Sequence, residues 1–286
     1  MEVYGVKKIR KSDIERALGT AVTLYKESVT SLGECTLALV RNGKKKYLIA
    51  KGSGPMFDEL EGEVTDDLKI CPANHANRLV LNTYLPYTKP TTNKDGRPSI
   101  GLGDRLGEAT PGHIKALGNK NIFPYFAQQS IRELNLTGRT FDGVIDDAAY
   151  AVFQCGYTAG WGADGDHLKK EEEIKTALRC GATMITLDSS EMIDNTIAGL
   201  PEKELLVRYG NVDEKTRTFY ENLYKERTFT FGTLSLTLDT VSLMKDILIY
   251  GKALDYIQKI WETFPEFKAD EAFLEVSIDE TATPTD

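Results

Sequence analysis

From residue 99 onward, apolar runs of strand length alternate with amphipathic stretches of helix length, and this alternation constrains the chain more than any other feature. Parallel strands need a crossover segment between them, so repeated strand–helix units point to a parallel sheet flanked by helices. Residues 100–103 read as a short strand. Thr110 and Pro111 then open a helix as N-cap and first-turn proline, with Ile114 and Leu117 inward and Gly118 as its stop. Residues 122–127 form the next strand. Phe141, Val144, Ile145, Ala148 and Val152 recur at helical spacing, with Asp142, Asp146 and Asp147 on or near the opposite face. A strand over residues 157–166, a helix over 171–179 closed by Gly181, and a strand over 184–188 continue the pattern.

Residues 1–95 read as a smaller α+β region. Two apolar runs, 35–40 and 46–51, are joined around Asn42-Gly43, a strong hairpin signal. After Pro72 the chain reads as helix, with Ala76, Leu79, Val80 and Thr83 on one side, until Pro86 ends it. Residues 88–98, rich in Thr, Pro, Gly, Asn and Asp, are the expected linker, dividing the chain into 1–95 and 96–286. Farther on, residues 200–226 form a charged helical insertion, and 228–238 alternate like one partly exposed strand. Leu243, Ile247, Tyr250, Leu254, Ile257 and Trp261 line a long helix, and residues 273–279 make a fifth inner strand. A parallel strand needs cover on both faces. No helix follows this one before Asp286, so the α/β part is expected to be interrupted there.

Composition removes several function classes. The formal charge is −8, from 43 acidic and 35 basic residues, and the basic ones are scattered, which argues against a nucleic-acid partner. The first 20 residues lack an apolar signal core, and no apolar run approaches the ~20 residues that span a bilayer. A cytoplasmic location without membrane attachment is expected. Cys35, Cys71, Cys155 and Cys180 are widely spaced and form no CxxC pair, so they read as small buried apolar residues. Nothing in the sequence speaks to oligomeric state.

Polar residues collect at the C-terminal ends of the inferred strands, where alternating β/α folds place their chemistry. These are Asp104 and Arg105, Gln128 and Gln129, Asp164, Asp166 and His167, Asp188, then Asp279 and Glu280. Each has a plain explanation too: Asp188 as a helix cap, the glutamines as loop ties, His113 as a surface or capping residue. In 101–107 the glycines permit close approach to a ligand. The helix opening at Thr110 offers N–H groups to an anion, and Arg105 could grip a carboxylate at two points. Asp166 and His167 point to different sides of an extended backbone, so one could handle protons while the other binds a metal. Beside a bound cation Asp166 would stay ionised and serve as a base. Glu275, Ser277 and Asp279 share one strand face. An inward carboxylate among apolar residues must be paired or metal-bound, which favours Glu275 over Glu280.

At these residues the chain resembles the tagaturonate epimerase family, bacterial enzymes that interconvert the ketohexuronates tagaturonate and fructuronate. The matching stretches are Gly101-Leu-Gly-Asp-Arg-Leu-Gly107 with Ala109-Thr-Pro-Gly-His113, and Phe126-Ala-Gln-Gln-Ser-Ile-Arg-Glu-Leu134 with Thr137-Gly-Arg-Thr140. Gly162-Ala-Asp-Gly-Asp-His-Leu-Lys169 and Leu274-Glu-Val-Ser-Ile-Asp-Glu-Thr281 complete them, so the resemblance runs from about residue 70 to the C-terminus. It implies a partial TIM-like (β/α) barrel, a divalent metal cation and a hexuronate substrate. Carried over by position, Asp166 is the proton acceptor, His167 a metal ligand and Glu275 the donor, with Asp279 on the same face as the alternative. Asp104, Arg105, Gln128 and Gln129 are the expected substrate contacts. Family members continue beyond the segment present here, and further histidine ligands are expected in that part, so this chain's metal site is expected to be incomplete. The resemblance also implies inversion at C4, one bond too far from the C2 ketone for simple α-proton removal, and hence retro-aldol cleavage of C3–C4. The alternatives are a metal-dependent isomerase or aldolase acting on another sugar, and a shortened non-catalytic fragment.

Overall fold

A computed structural model describes residues 8–267 and 272–277. Two compact units emerge. The first contains the chain up to Asp166, Ile174–Ile185 and Ala269–Phe273; the second contains His167–Glu173, Thr186–Lys268 and the chain from Leu274, so the boundary crosses three strands.

The chain begins with α1 (Lys11–Leu18), β1 (Thr23–Leu32), β2 (Cys35–Asn42), β3 (Lys45–Lys51), α2 (Pro55–Glu59), β4 (Glu63–Thr65), β5 (Leu68–Pro72) and α3 (His75–Tyr84). These strands form an antiparallel sheet in the order β1-β2-β3-β5-β4. The expected hairpin is present: Asn42 pairs with Lys45, and Gly43 takes the positive φ of 57° that the two-residue turn needs. Strand β2 is buried on both faces. Leu37 and Leu39 pack with Leu48, Cys71 and Leu81 on one side, and Val40 packs with Ile14, Ile49 and Leu68 on the other.

Helix α3 forms where expected but turns a different face inward. Leu79 is 48% exposed, whereas Asn77, Arg78 and Leu81 are buried. Tertiary hydrogen bonds decide this. The Asn77 amide donates to the carbonyls of Glu61 and Pro72 and accepts from Glu61 N–H, which satisfies a buried polar group in full view of the apolar core.

The next elements are β6 (Ser99–Gly101), α4 (Thr110–Leu117), β7 (Phe123–Ser130), α5 (Ile131–Thr137), α6 (Phe141–Cys155), β8 (Gly162–Leu168), α7 (Glu171–Cys180) and β9 (Met184–Asp188). Strands β6, β7 and β8 pair in parallel, as strand–helix alternation requires. Helix α6 is capped by Thr140 at its start and by Gly156 in the left-handed region at its end. Its Tyr150 and Phe153 pack into the same core as Leu37 and Leu48 of the antiparallel sheet. Residues 88–98 are not a free linker: Thr91 N–H donates to the Trp161 carbonyl, and Trp161 Nε1 donates to the Tyr87 carbonyl. The contact boundary accordingly falls at Asp166 rather than near residue 95.

The second unit adds α8 (Glu202–Gly210), α9 (Glu214–Tyr224), β10 (Arg227–Phe231), β11 (Leu234–Leu238) and α10 (Thr240–Phe267), and the last described element is β12 (Phe273–Ser277). The alternating run 228–238 is a hairpin rather than one strand, because Gly232 with φ 62° reverses the chain between β10 and β11. On α10 the expected stripe is inward at its start, where Leu243 and Ile247 are buried, but farther along Ala253 and Ile260 are buried instead while Leu254 is exposed and Trp261 is 64% exposed. The second sheet runs β12-β9-β8-β7-β6. The α/β class is therefore as expected, with an α+β region ahead of a five-stranded sheet whose parallel strands are linked by helices. Among the described residues β12 stands at the end of this sheet order, with β9 as its one neighbour, and Phe273, Glu275 and Val276 are exposed. The premise of an inward, buried Glu275 is thus corrected: an edge strand has one hydrogen-bonding neighbour and less to pack against. Asp279 and Glu280 lie outside the described residues.

Candidate active site

The strand face that carries Asp166 is organised by one irregularity. Tyr125 pairs with Gly162, but Ala127 pairs with Ala163, so a bulge at Phe126 absorbs one residue of β7. Side chains alternate along a strand, and the extra residue therefore brings Tyr125, Gln128 and Ser130 onto one face, beside Gly162, Asp164 and Asp166 of β8. Three rungs result, climbing toward the strand ends. Tyr125 over Gly162 is an apolar floor, clustered with Phe123 and Met184, and a Cβ on Gly162 would overlap the Tyr125 ring. The middle rung is polar: Gln128 Nε2 donates to Asp164 Oδ2 at 3.1 Å, and Asp164 is 4% exposed. Gly101 lacks the Cβ that would collide with the Gln128 carboxamide, so β6 holds this side chain in place. The upper rung carries half-buried Asp166 beside Ser130, whose hydroxyl caps α5 in a reciprocal capping box with Glu133.

Gln129 points the other way. It is buried, donates to Thr137 Oγ1 at 3.3 Å and accepts from Arg139 at 3.1 Å, which makes it a tie between β7 and the loop after α5. Asp104 is likewise turned inward. Its oxygens accept the N–H groups of Leu106 through Thr110 and the Thr110 hydroxyl, at 2.7 to 3.3 Å. Burial alone would raise the Asp104 pKa, but these hydrogen bonds outweigh it and hold the carboxyl below its ordinary range. The expectation that α4 offers open N–H groups to an anion is therefore corrected: Asp104 takes the Thr110 N–H, and the Ala109 carbonyl takes those of Gly112 and His113. Arg105 folds back across Gly103 and donates to Glu133 Oε1 at 2.7 Å, with about half of its side chain exposed.

In the second unit, His167 has φ 49°, a left-handed conformation that costs a residue with a Cβ about 1–2 kcal/mol. Its Nδ1 lies 3.9 Å from Oδ2 of buried Asp188, while Asp188 Oδ1 accepts the Ser190 N–H at 2.8 Å. Lys169 Nζ stands 3.6 Å from the same Asp188 oxygen and 3.6 Å from Glu191. Asp188 thus both accepts an N–H two residues ahead in the turn and is the carboxylate shared by an imidazole and an ammonium group. A local turn contact of an aspartate after a strand can be read from the sequence; the shared role needs the fold. Among the described residues, no group of three or more His, Cys, Asp or Glu side chains converges as a metal site. His167 and Asp188 alone do not compose one, and an ammonium ion stands beside Asp188. His113, the other rim histidine, has a buried Nδ1 with no hydrogen-bond partner.

A family model for tagaturonate epimerase matches residues 25–286. The chain belongs to the tagaturonate epimerase family. The match reaches back into β1 and so takes in the antiparallel sheet, where the sequence carries no distinctive motif. The tagaturonate/fructuronate epimerase of Thermotoga maritima is 35% identical over 272 residues, covering 93% of this chain and 55% of that protein. Crystal structures of the fructuronate-tagaturonate epimerase of Cohnella laeviribosi, 46% identical, superpose over 96% of this chain and 56% of theirs. The TM-score is 0.89 for a glycerol complex and 0.88 for the native form. The chain spans about half the length of these tagaturonate epimerase relatives. No helix among the described residues is long and apolar enough to cross a membrane.

Proposed function

We propose that this chain carries part of the active site of an epimerase interconverting D-tagaturonate and D-fructuronate at C4. Membership of the epimerase family, together with Asp166 at the top of a polar strand face, supports the reading. The C4 hydroxyl proton passes to the Asp166 carboxylate as the C3–C4 bond breaks. Its electron pair moves toward the C2 carbonyl, leaving an enediolate on C1–C3 and an aldehyde at C4. Rotation of the aldehyde and re-formation of the bond from its other face invert C4, and the new alkoxide recovers a proton. Position in the family motif assigns that return to Glu275. The divalent cation implied by the resemblance would stabilise the enediolate as a Lewis acid, with His167 as one ligand of a set that the described residues do not bring together. Arg105 would exchange Glu133 for the substrate carboxylate, a two-point contact for which a guanidinium is suited.

The test is interconversion of the two ketohexuronates, followed by NMR, in the unaltered protein and in Asp166→Asn. Loss of a positioned base costs roughly 10²–10⁴-fold in rate. Incorporation of labelled three-carbon aldehyde into product is expected; turnover without such exchange would favour a route that keeps C3–C4 intact. No turnover of either uronate would remove the epimerase reading.

A further inference from the structure

Arg139 follows α5 in the stretch Thr137-Gly-Arg-Thr140, and its side chain is 14% exposed. One guanidinium there joins three elements. Nη1 donates to the Asp104 carbonyl at 2.8 Å and to Gln129 Oε1 at 3.1 Å, while Nη2 donates to the Gly143 carbonyl at 3.3 Å and to Asp147 Oδ2. Strand β7, helix α6 and the loop between β6 and α4 are thereby tied to a single planar group. The Asp104 carbonyl and the Arg105 N–H belong to one peptide, which is itself planar, so holding the oxygen fixes the direction in which the chain enters Arg105. Asp147 closes on the same loop at Gly107, which has φ 77° and where a Cβ would stand 2.3 Å from Asp147 Oδ2. Inside the loop the Asp104 carboxylate takes the N–H groups of Leu106 through Thr110. What the loop leaves outward is Leu106, 76% exposed, and the half-exposed Arg105, laid across Gly103 toward Glu133. A two-point grip on a carboxylate needs its guanidinium placed to within about 0.5 Å, and a long side chain on a loose turn loses that placement to backbone and rotamer motion.

We infer that Arg139 is a positioning residue: it holds the Asp104–Arg105 peptide so that the Arg105 guanidinium is in place for the carboxylate of the sugar acid. The inference rests on the epimerase reading, with Arg105 as the carboxylate grip, and adds to it the group that sets where the grip stands. Lysine at 139 keeps a charge beside Asp147 but cannot spread donors in one plane toward Asp104, Gln129 and Gly143.

The test is a double-variant cycle, with affinity for D-tagaturonate read from KM and from ligand-observed NMR. D-Tagatose, which carries a hydroxymethyl group in place of the C6 carboxylate, is the neutral competitor. Arg139→Lys should weaken D-tagaturonate about tenfold with a smaller change in kcat, and leave competition by D-tagatose within about twofold, because only the carboxylate is read through Arg105. In an Arg105→Ala background the same substitution should add less than about twofold. Gly107→Ala, which pushes the loop off Asp147, should show the same pattern and carries the test if Arg139→Lys does not fold. An equal loss for D-tagatose, or a full tenfold loss added in the Arg105→Ala background, would overturn the inference and leave Arg139 a structural tie. If Arg105→Ala binds and turns over D-tagaturonate as well as the unaltered protein, the grip and this inference fall while the epimerase reading stands. Should the unaltered protein neither bind nor convert D-tagaturonate, the epimerase reading fails first and this one with it.

Discussion

Asp104 shows how one side chain can replace a ligand. Its carboxylate gathers successive N–H groups ahead of α4 and the Thr110 hydroxyl, so Asp104→Ala should cost about 3 kcal/mol in denaturant unfolding at neutral pH, by leaving buried donors unpaired. The acid dependence has a definite sign. Its folded pKa lies below the unfolded value of roughly 3.9, so its stabilisation is complete above that value and is lost as pH falls through the folded pKa. The gap between parent and variant should therefore narrow below about pH 4; an equal gap at pH 3 and pH 7 would contradict the role given to Asp104. His167 poses the opposite case, a strained backbone kept for its side chain. Glycine adopts φ 49° without penalty, so His167→Gly should be more stable than His167→Ala by about 1 kcal/mol, while both lose whatever activity depends on the imidazole. Thermal melts of the two variants side by side decide it.

Among the elements, α3 and α6 are joined by a buried ion pair that neither helix displays in its own sequence. Arg78 is 4% exposed and its Nε donates to Asp146 Oδ1 at 2.6 Å, with His75 Nδ1 3.1 Å from the same oxygen. Arg78→Ala leaves a carboxylate half-sunk between helices and should cost about 3–5 kcal/mol in chemical unfolding, whereas Arg78→Met with Asp146→Leu should recover more than half of that loss. A double variant no better than the single one would show that the pair does not act as a unit. The apolar period of α3 points to Leu79 and Val80, and of the long α10 to Trp261, because period measures only which residues are oily. Which face turns inward depends on partners elsewhere in the chain. The Asn42-Gly43 hairpin and the glycine-closed helices were legible for the converse reason, since their geometry is set by φ angles at single positions. The bulge at Phe126 leaves no such mark, yet it decides that Gln128 and not Gln129 stands beside Asp164.

At the scale of the molecule, the antiparallel sheet and the first strands of the α/β sheet belong to one compact unit. Tyr150 and Phe153 of α6 fill a core whose other wall is Leu37, Leu39 and Leu48. Removing residues 1–95 should therefore leave a chain without a cooperative thermal transition, because it strips cover from α6; circular dichroism would show this. A sharp, reversible melt of the shortened chain would mean that the two regions are separate domains after all.

Strand–helix alternation, capping signals and the motif stretches were enough, from sequence alone, to establish the α/β class and the epimerase family, and to place Gln128, Asp166 and His167 toward the C-terminal ends of strands, because these depend on local order along the chain. Tertiary structure alone decided that Asp104 and Gln129 face inward as supports, that Asp188 is shared by His167 and Lys169, that Glu275 lies on an exposed edge, and that Asp164 and Gln128 form one rung. Each of those facts depends on register and on long-range partners, and a one-residue bulge reverses the face of every side chain beyond it.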